Sequence, residues 1–224
     1  MLILGVLLSS NLFISFVVGD SIGFDTIHPL SVSQFQCLNN TYNYVFLRVG
    51  KADGSIDNVG LQNIKNANQG GFTYQINPYF YPNISINSSD QLSQIQNSLN
   101  NAENPIAPIS ILYVNINPLF WSSDKMQNQK YMTELNNEIT NANYFPGYYT
   151  SYSSWDQVFG VDFVVSPTEE SYLWWTQLNG IQVIRLILLK FGVFRIILVL
   201  YHLEDGDSLI IINGKQMLTY VAQL

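Results

Sequence analysis

The chain has little charge. Only 11% of its 224 residues are Asp, Glu, Lys or Arg, and 9 basic residues face 16 acidic ones. No basic run or patch is present to neutralise phosphates, so no nucleic-acid partner is expected. Histidine is nearly absent. His28 and His202 stand alone without metal-spaced partners, which indicates neither a zinc site nor a Ser/His/Asp arrangement. No glycine fingerprint for a dinucleotide follows any expected strand, and no metal or cofactor is expected. Cysteine occurs once, as Cys37. It is either a free thiol, a bond lacking its second member, or a small hydrophobe buried in a helix. There is no internal repeat.

At 25.4 kDa the chain suits one sizeable domain with a full core. Its polar surface is built from Asn, Gln, Ser and Tyr, a composition compatible with sugar binding and glycosylation. Residues 1–19 read as a secretory signal peptide. Leu2–Leu8 and Leu12–Val18 are apolar, and Val17-Val18-Gly19 offers a cleavage site. A membrane anchor needs roughly 20 apolar residues, and Ser9-Ser10-Asn11 interrupts this run. The expected location is therefore secreted, or the lumen of a lysosome or phagosome. Three Asn-x-Ser/Thr sequons, at Asn39, Asn83 and Asn87, fit that route.

From Ser21 strands and helices alternate. Strands are expected at Ser21–Asp25, Tyr44–Gly50, Phe72–Phe80, Ile109–Asn115, Phe145–Thr150 and Tyr172–Gln177. Helices are expected at Val32–Asn39, Val59–Gly70, Ser89–Asn100, Lys125–Asn143 and Ser153–Phe159, the fourth capped by Ser122-Ser123-Asp124. Alternation of this kind implies parallel strands and right-handed crossovers. The expected fold is α/β, a closed (β/α) barrel like a TIM barrel, over residues 20–182.

After Gln182 the character changes. Val183–Leu203 is almost wholly aliphatic, broken by Arg185, Lys190 and Arg195. As a surface helix its cations fall on different sides. As a membrane span it would bury three charges, each costing roughly 2.5–3.5 kcal/mol at the bilayer centre. As barrel strands it lacks turn residues apart from Gly192. Residues 183–224 are thus an atypical hydrophobic tail.

The chemistry centres on Ile109–Pro118, a buried strand between Pro108 and Pro118. Asn115 and Asn117 sit two apart where it leaves the core, so alternation puts both amides on one face. The carboxyl end of a barrel strand is where such folds do chemistry. Asp25 ends the first strand. Tyr79, Tyr81, Tyr148, Trp174 and Trp175 are candidates to line the mouth, where aromatic faces stack on sugar rings. The same residues would serve equally well as core and rim aromatics. Glu169-Glu170, Glu134 and Glu138 read as solvated charges.

A series of segments resembles the glycoside hydrolase family 25 lysozymes, in the form found in small secreted animal and protist proteins. They are Gly23-Phe24-Asp25, Phe35-Gln36-Cys37-Leu38, Phe46-Leu47-Arg48-Val49, Ile64-Lys65-Asn66-Ala67 with Gly71-Phe72, and Tyr79-Phe80-Tyr81-Pro82. Phe120-Trp121-Ser122-Ser123, Tyr149-Thr150-Ser151 with Trp155 and Phe159-Gly160, and Leu173-Trp174-Trp175 continue the series. The resemblance runs from about Gly23 to Gly180 and implies a modified (β/α) barrel. It also implies cleavage of the β-1,4 link between N-acetylmuramic acid and N-acetylglucosamine in peptidoglycan, with roles in cell-wall breakdown and defence against bacteria.

The family's first-strand Asp is matched by Asp25, but its Asp-x-Glu pair is Asn115-Ile116-Asn117 here. Glycoside cleavage needs a carboxylic acid to protonate the leaving oxygen and a carboxylate to stabilise the oxocarbenium-like centre. An amide has no such proton to give. The expectation is a lysozyme-like protein with impaired catalysis that at most binds bacterial cell-wall glycan as a monomer, with no membrane partner. The alternatives are an active lysozyme using Asp25 with Asp162 or Glu169, and a membrane-anchored protein held by residues 183–203. The family also ends with Gly-Gly-Trp, a cysteine and a last Asp. A shifted reading frame permits Phe-Gly-Gly-Trp at His202–Gly206 and a cysteine at Tyr220-Val221 that could pair with Cys37. The tail is accordingly expected to be translated out of frame.

Overall fold

The computed structural model describes residues 20–73, 75–101, 109–165, 171–176, 194–199 and 209–213. Eight strands among them close into one barrel: β1 (Asp20–Thr26), β2 (Tyr44–Gly50), β3 (Ile76–Phe80), β4 (Ile111–Asn115), β5 (Phe145–Thr150), β6 (Ser171–Thr176), β7 (Phe194–Val199) and β8 (Leu209–Asn213). The first seven are parallel to their neighbours, and β8 runs antiparallel to both β7 and β1. Five helices intervene: α1 (Val32–Leu38), α2 (Asn58–Gln69), α3 (Ser88–Asn101), α4 (Lys125–Asn141) and α5 (Tyr152–Val158). The α/β barrel expected from alternation is present.

Local chemistry starts each helix where it begins. Ser31 and Gln34 form a reciprocal capping box on α1. Asp57 accepts from the Val59 amide at the head of α2, Asp124 from Met126 and Gln127 at α4, and Ser151 from Ser154 at α5. Each acceptor satisfies amides that have no partner within the helix.

Period-two alternation divides the strand residues between two apolar layers. Val45, Leu47 and Val49 of β2 face outward with Phe35, Ile64 and Ala67 of the helices, as do Leu112 and Val114 of β4 with Met132, Leu135 and Ile139. Phe46, Tyr79, Tyr113 and Trp174 form a separate cluster inside the barrel. Gly147 of β5 makes room for it. A Cβ there would stand 2.5 Å from Cδ1 of Tyr113.

The third strand begins later than expected. Gly71, at φ +103°, reverses the chain, and the Phe72 amide donates back to the Ala67 carbonyl at 3.0 Å. Phe72 therefore packs edge-on against Phe24 and Phe35, both at 6.1 Å, before β3 starts. The tail takes the place of the last strands by supplying β7 and β8 itself. Phe194–Val199, in the middle of the segment weighed as a membrane anchor, pairs along β6. No helix among the described residues is long and apolar enough to cross a membrane. The signal-peptide reading of residues 1–19 and the proposed Cys37 partner at Tyr220-Val221 lie outside the described residues.

Candidate functional site

The carboxyl ends of β1 to β6 open at one end of the barrel, and strand parity decides which side chains reach it. In β1, Phe24 turns outward onto Tyr42, with ring centroids 5.0 Å apart, so Asp25 takes the inward position opposite Phe46. Tyr79 of β3 lies beside it. Burial first, and then the negative charge of Asp25, push the Tyr79 hydroxyl well above the ordinary tyrosine range, while Arg48 opposes the shift.

Asn115 ends β4 inside the mouth. Its side chain is buried (3% exposed), and its Oδ1 has no hydrogen-bond partner among the described residues. Its backbone carbonyl accepts from Trp121 Nε1 at 3.4 Å. Asn117 is used differently. The strand stops at Asn115, Ile116 packs into the outer core, and Asn117 Oδ1 accepts from the Leu119 amide at 3.1 Å to cap the 3-10 turn Pro118–Phe120. The two amides expected on one face are therefore not equivalent, because one is inward and unpartnered while the other is committed to a turn.

The aromatic candidates separate too. Tyr79, Tyr81 and Trp174 belong to the interior group. Tyr148 does not line the mouth. It lies in the outer core, with its hydroxyl hydrogen-bonded to Asn136 of α4 and its ring 6.0 Å from Trp155 of α5. Its neighbour Tyr149 has the inward parity and packs 4.3 Å from Trp174. Trp175 follows in β6 in register with Thr150. A run of rings thus climbs from the barrel interior to the rim. Trp174 lies 5.9 Å from Tyr79, Tyr79 6.1 Å from Tyr81, and Tyr81 5.1 Å from the exposed Phe120.

Sequence reasoning missed Tyr149, Phe120 and the pair Arg48–Asp57. Arg48 Nε donates to Asp57 Oδ2 at 2.7 Å from an inward position of β2. The available signal was a cation at inward parity within an otherwise apolar strand. The pair ties up the other carboxylate whose charge acts on Tyr79. Asp162 is exposed on the connection from α5 to β6, hence at the barrel end opposite the mouth, and Glu169 lies outside the described residues. Glu134 pairs along α4 with Lys130 at 3.9 Å. Cys37 is an exposed free thiol on α1, where Phe35 is the buried residue. Among the described residues no group of His, Cys, Asp or Glu could hold a metal ion.

The mouth therefore offers one inward carboxylate, Asp25, an amide oxygen on Asn115 with no partner among the described residues, and a staircase of aromatic faces. Such surfaces suit a ring-shaped polar ligand with apolar faces. Proton donation to a leaving oxygen would require an acid that the end of β4 does not supply.

A family described as "Lysozyme-like protein 1" matches residues 18–191. The chain is 28% identical over 172 residues to "Lysozyme-like protein 5" of Caenorhabditis elegans, covering 76% of this chain and 79% of that one. Among solved structures, a muramidase from Trichobolus zukalii superposes with a TM-score of 0.60 at 15% identity, covering 88% of this chain and 95% of the other. A family GH25 lysozyme from Aspergillus fumigatus gives 0.60 at 13% identity, covering 88% and 96%.

Proposed function

Given that the chain belongs to the lysozyme-like family and carries the fold of the GH25 muramidases, we propose that it is a secreted glycan-binding protein whose muramidase chemistry is lost. The ligand is bacterial cell-wall glycan. The observation that carries this reading is the end of β4, where Asn115 faces the mouth as an amide and Asn117 spends its oxygen on a turn.

Neither amide can protonate a glycosidic oxygen, and Asp25 alone cannot be both acid and stabilising carboxylate. Binding needs less. The rings from Trp174 to Phe120 can stack on successive sugars. The Asn115 carbonyl can accept from an N-acetyl amide N–H, which would satisfy an oxygen otherwise left without a partner.

The test is incubation of the purified secreted protein with bacterial cell walls, following both turbidity and co-sedimentation. The expected result is co-sedimentation without clearing, weakened about tenfold by Phe120→Ala together with Tyr81→Ala, in line with the loss of two stacking faces. Clearing that disappears in Asp25→Asn would overturn the reading in favour of an active muramidase. Restoring Asn115→Asp with Asn117→Glu, in a chain carrying the shifted-frame tail, is expected to recover cleavage.

A further inference from the structure

We propose that Asn87 is an N-glycosylation site, and that Asn83 and Asn39 remain unmodified. The inference rests on the secretory reading above and goes beyond it by choosing among three sequons that the sequence alone leaves equivalent.

The choice comes from where each amide nitrogen lies. Asn87 is exposed in the connection between β3 and α3. Its Oδ1 accepts from both the backbone amide and the hydroxyl of Ser89, at 2.9 and 2.7 Å, so the cap uses the oxygen of this exposed side chain and not Nδ2. Nδ2 has no hydrogen-bond partner among the described residues.

Asn83 is half-buried, and its Oδ1 also accepts a backbone amide, that of Ser85 at 3.0 Å. Its backbone N–H donates to Gln91 Oε1 at 3.2 Å, and its backbone carbonyl accepts from the Tyr131 hydroxyl at 3.4 Å, which fixes the chain there against α3 and α4. Its Nδ2 lies 3.3 Å from the position a Cβ on Gly54 would take, so it faces the turn between β2 and α2. A sugar on that nitrogen would meet this turn. Asn39 caps the end of α1, and its Nδ2 lies 2.6 Å from the corresponding position on Gly71. There the nitrogen faces the backbone bend that sets up β3. A glycan on Asn87 would leave from an exposed side chain at the head of α3, whereas one on Asn83 or Asn39 would leave from a nitrogen that lies against the turn at Gly54 or Gly71.

The transfer uses a lipid diphosphate-linked oligosaccharide of the secretory pathway as donor. The bond between the anomeric carbon and the diphosphate oxygen breaks, and the lipid diphosphate leaves with the electron pair. A carbon–nitrogen bond forms to Asn87 Nδ2, which gives up one proton. The connections leaving the strands' carboxyl ends are at the mouth, so the glycan stands at the same end of the barrel as Tyr81 and Phe120.

The experiment is expression of the full chain in a secreting eukaryotic cell, once with its own N-terminus and once with a proven leader in place of residues 1–19. Site occupancy is read by intact mass before and after enzymatic glycan removal. Asn87→Asp, which keeps the helix-capping oxygen, and Ser89→Ala, which keeps the asparagine, are each expected to remove the glycan completely. Asn39→Gln and Asn83→Gln are expected to leave it unchanged. A glycan on Asn39 or Asn83, or none on Asn87 in the chain delivered by the proven leader, overturns the proposal. Glycan on Asn87 with that leader, but no export with the chain's own N-terminus, would sink the secretory reading and leave the site standing.

Discussion

Arg48 and Asp57, nine residues apart, meet across 2.7 Å where β2 hands over to α2. The carboxylate is almost fully buried and is used twice, since its other oxygen accepts from the Val59 amide at 3.1 Å. One side chain therefore neutralises an inward cation and starts a helix. Arg48→Met would leave that buried carboxylate without its cation, a loss expected to cost about 3 kcal/mol. Asp57→Asn keeps the helix cap and leaves Arg48 to water at its partly exposed edge, so it is expected to cost about half as much. Urea unfolding of the two variants checks the order. Equal losses would mean that a stranded Asp57 carboxylate is no more costly than a stranded Arg48 guanidinium.

Inside the barrel, Tyr113 is fully buried and its hydroxyl has no hydrogen-bond partner among the described residues. Leaving a buried hydroxyl unpaired costs about 1–3 kcal/mol. Tyr113→Phe is therefore expected to leave stability unchanged or raise it by about 1 kcal/mol. Gly147→Ala is expected to cost about 1–3 kcal/mol, since its methyl would press on the Tyr113 ring from 2.5 Å. Thermal melts of both single variants are the measurement. A strongly destabilised Tyr113→Phe would show that the hydroxyl is in fact bonded.

These interior contacts also mark how far the sequence could be read. The alternation in Tyr44–Gly50 and the caps Asp57, Asp124 and Ser151 are local features, and the elements appeared within a residue or two of the expected bounds. The inward set was harder. Phe145–Thr150 carries aromatics at both parities, so whether Tyr148 or Tyr149 faced the mouth depended on Asn136, which lies on a different element. Asn117 was misplaced for a related reason. Its side chain answered the nearby Leu119 amide instead of continuing the alternation, because Pro118 ends the strand. The Arg48–Asp57 pair bridges a turn whose geometry no periodicity describes.

Buried tyrosines set the alkaline limit of the fold. Burial raises the hydroxyls of Tyr79, Tyr113, Tyr131 and Tyr144, with Asp25 adding to the shift at Tyr79. In the unfolded chain these groups ionise near pH 10. Above that pH the unfolded state binds fewer protons than the folded one, so stability falls as pH rises. The contribution is fully present below pH 10; above it the deeply buried Tyr79 and Tyr113 each remove up to about 1.4 kcal/mol per pH unit, and the half-exposed Tyr144 much less. Unfolding free energies at pH 8, 10 and 11 are expected to be flat over the first interval and to drop over the second. Tyr79→Phe is expected to shallow the drop. An unchanged slope in that variant would mean that Tyr79 ionises in the folded state as it does in water.

Replacing Asn115 with the acid expected of a working site tests whether the mouth still tolerates one. The side chain is 3% exposed and its oxygen lacks a partner among the described residues. A carboxylate there loses hydration without gaining a bond, so its folded pKa is expected to rise above the ordinary value near 4. A group raised in this way is neutral in the fold at low pH and penalises folding once the unfolded chain ionises. Asn115→Asp is therefore expected to match the parent chain in stability at pH 3 and to fall below it by about 1–3 kcal/mol at pH 7. Chemical unfolding at the two pH values reads the difference directly. A variant equally stable at both would mean that donors in the mouth still receive a carboxylate at the end of β4. In that case the amide at Asn115 is a reversible substitution, and the missing proton donor is the matter of Asn117 alone.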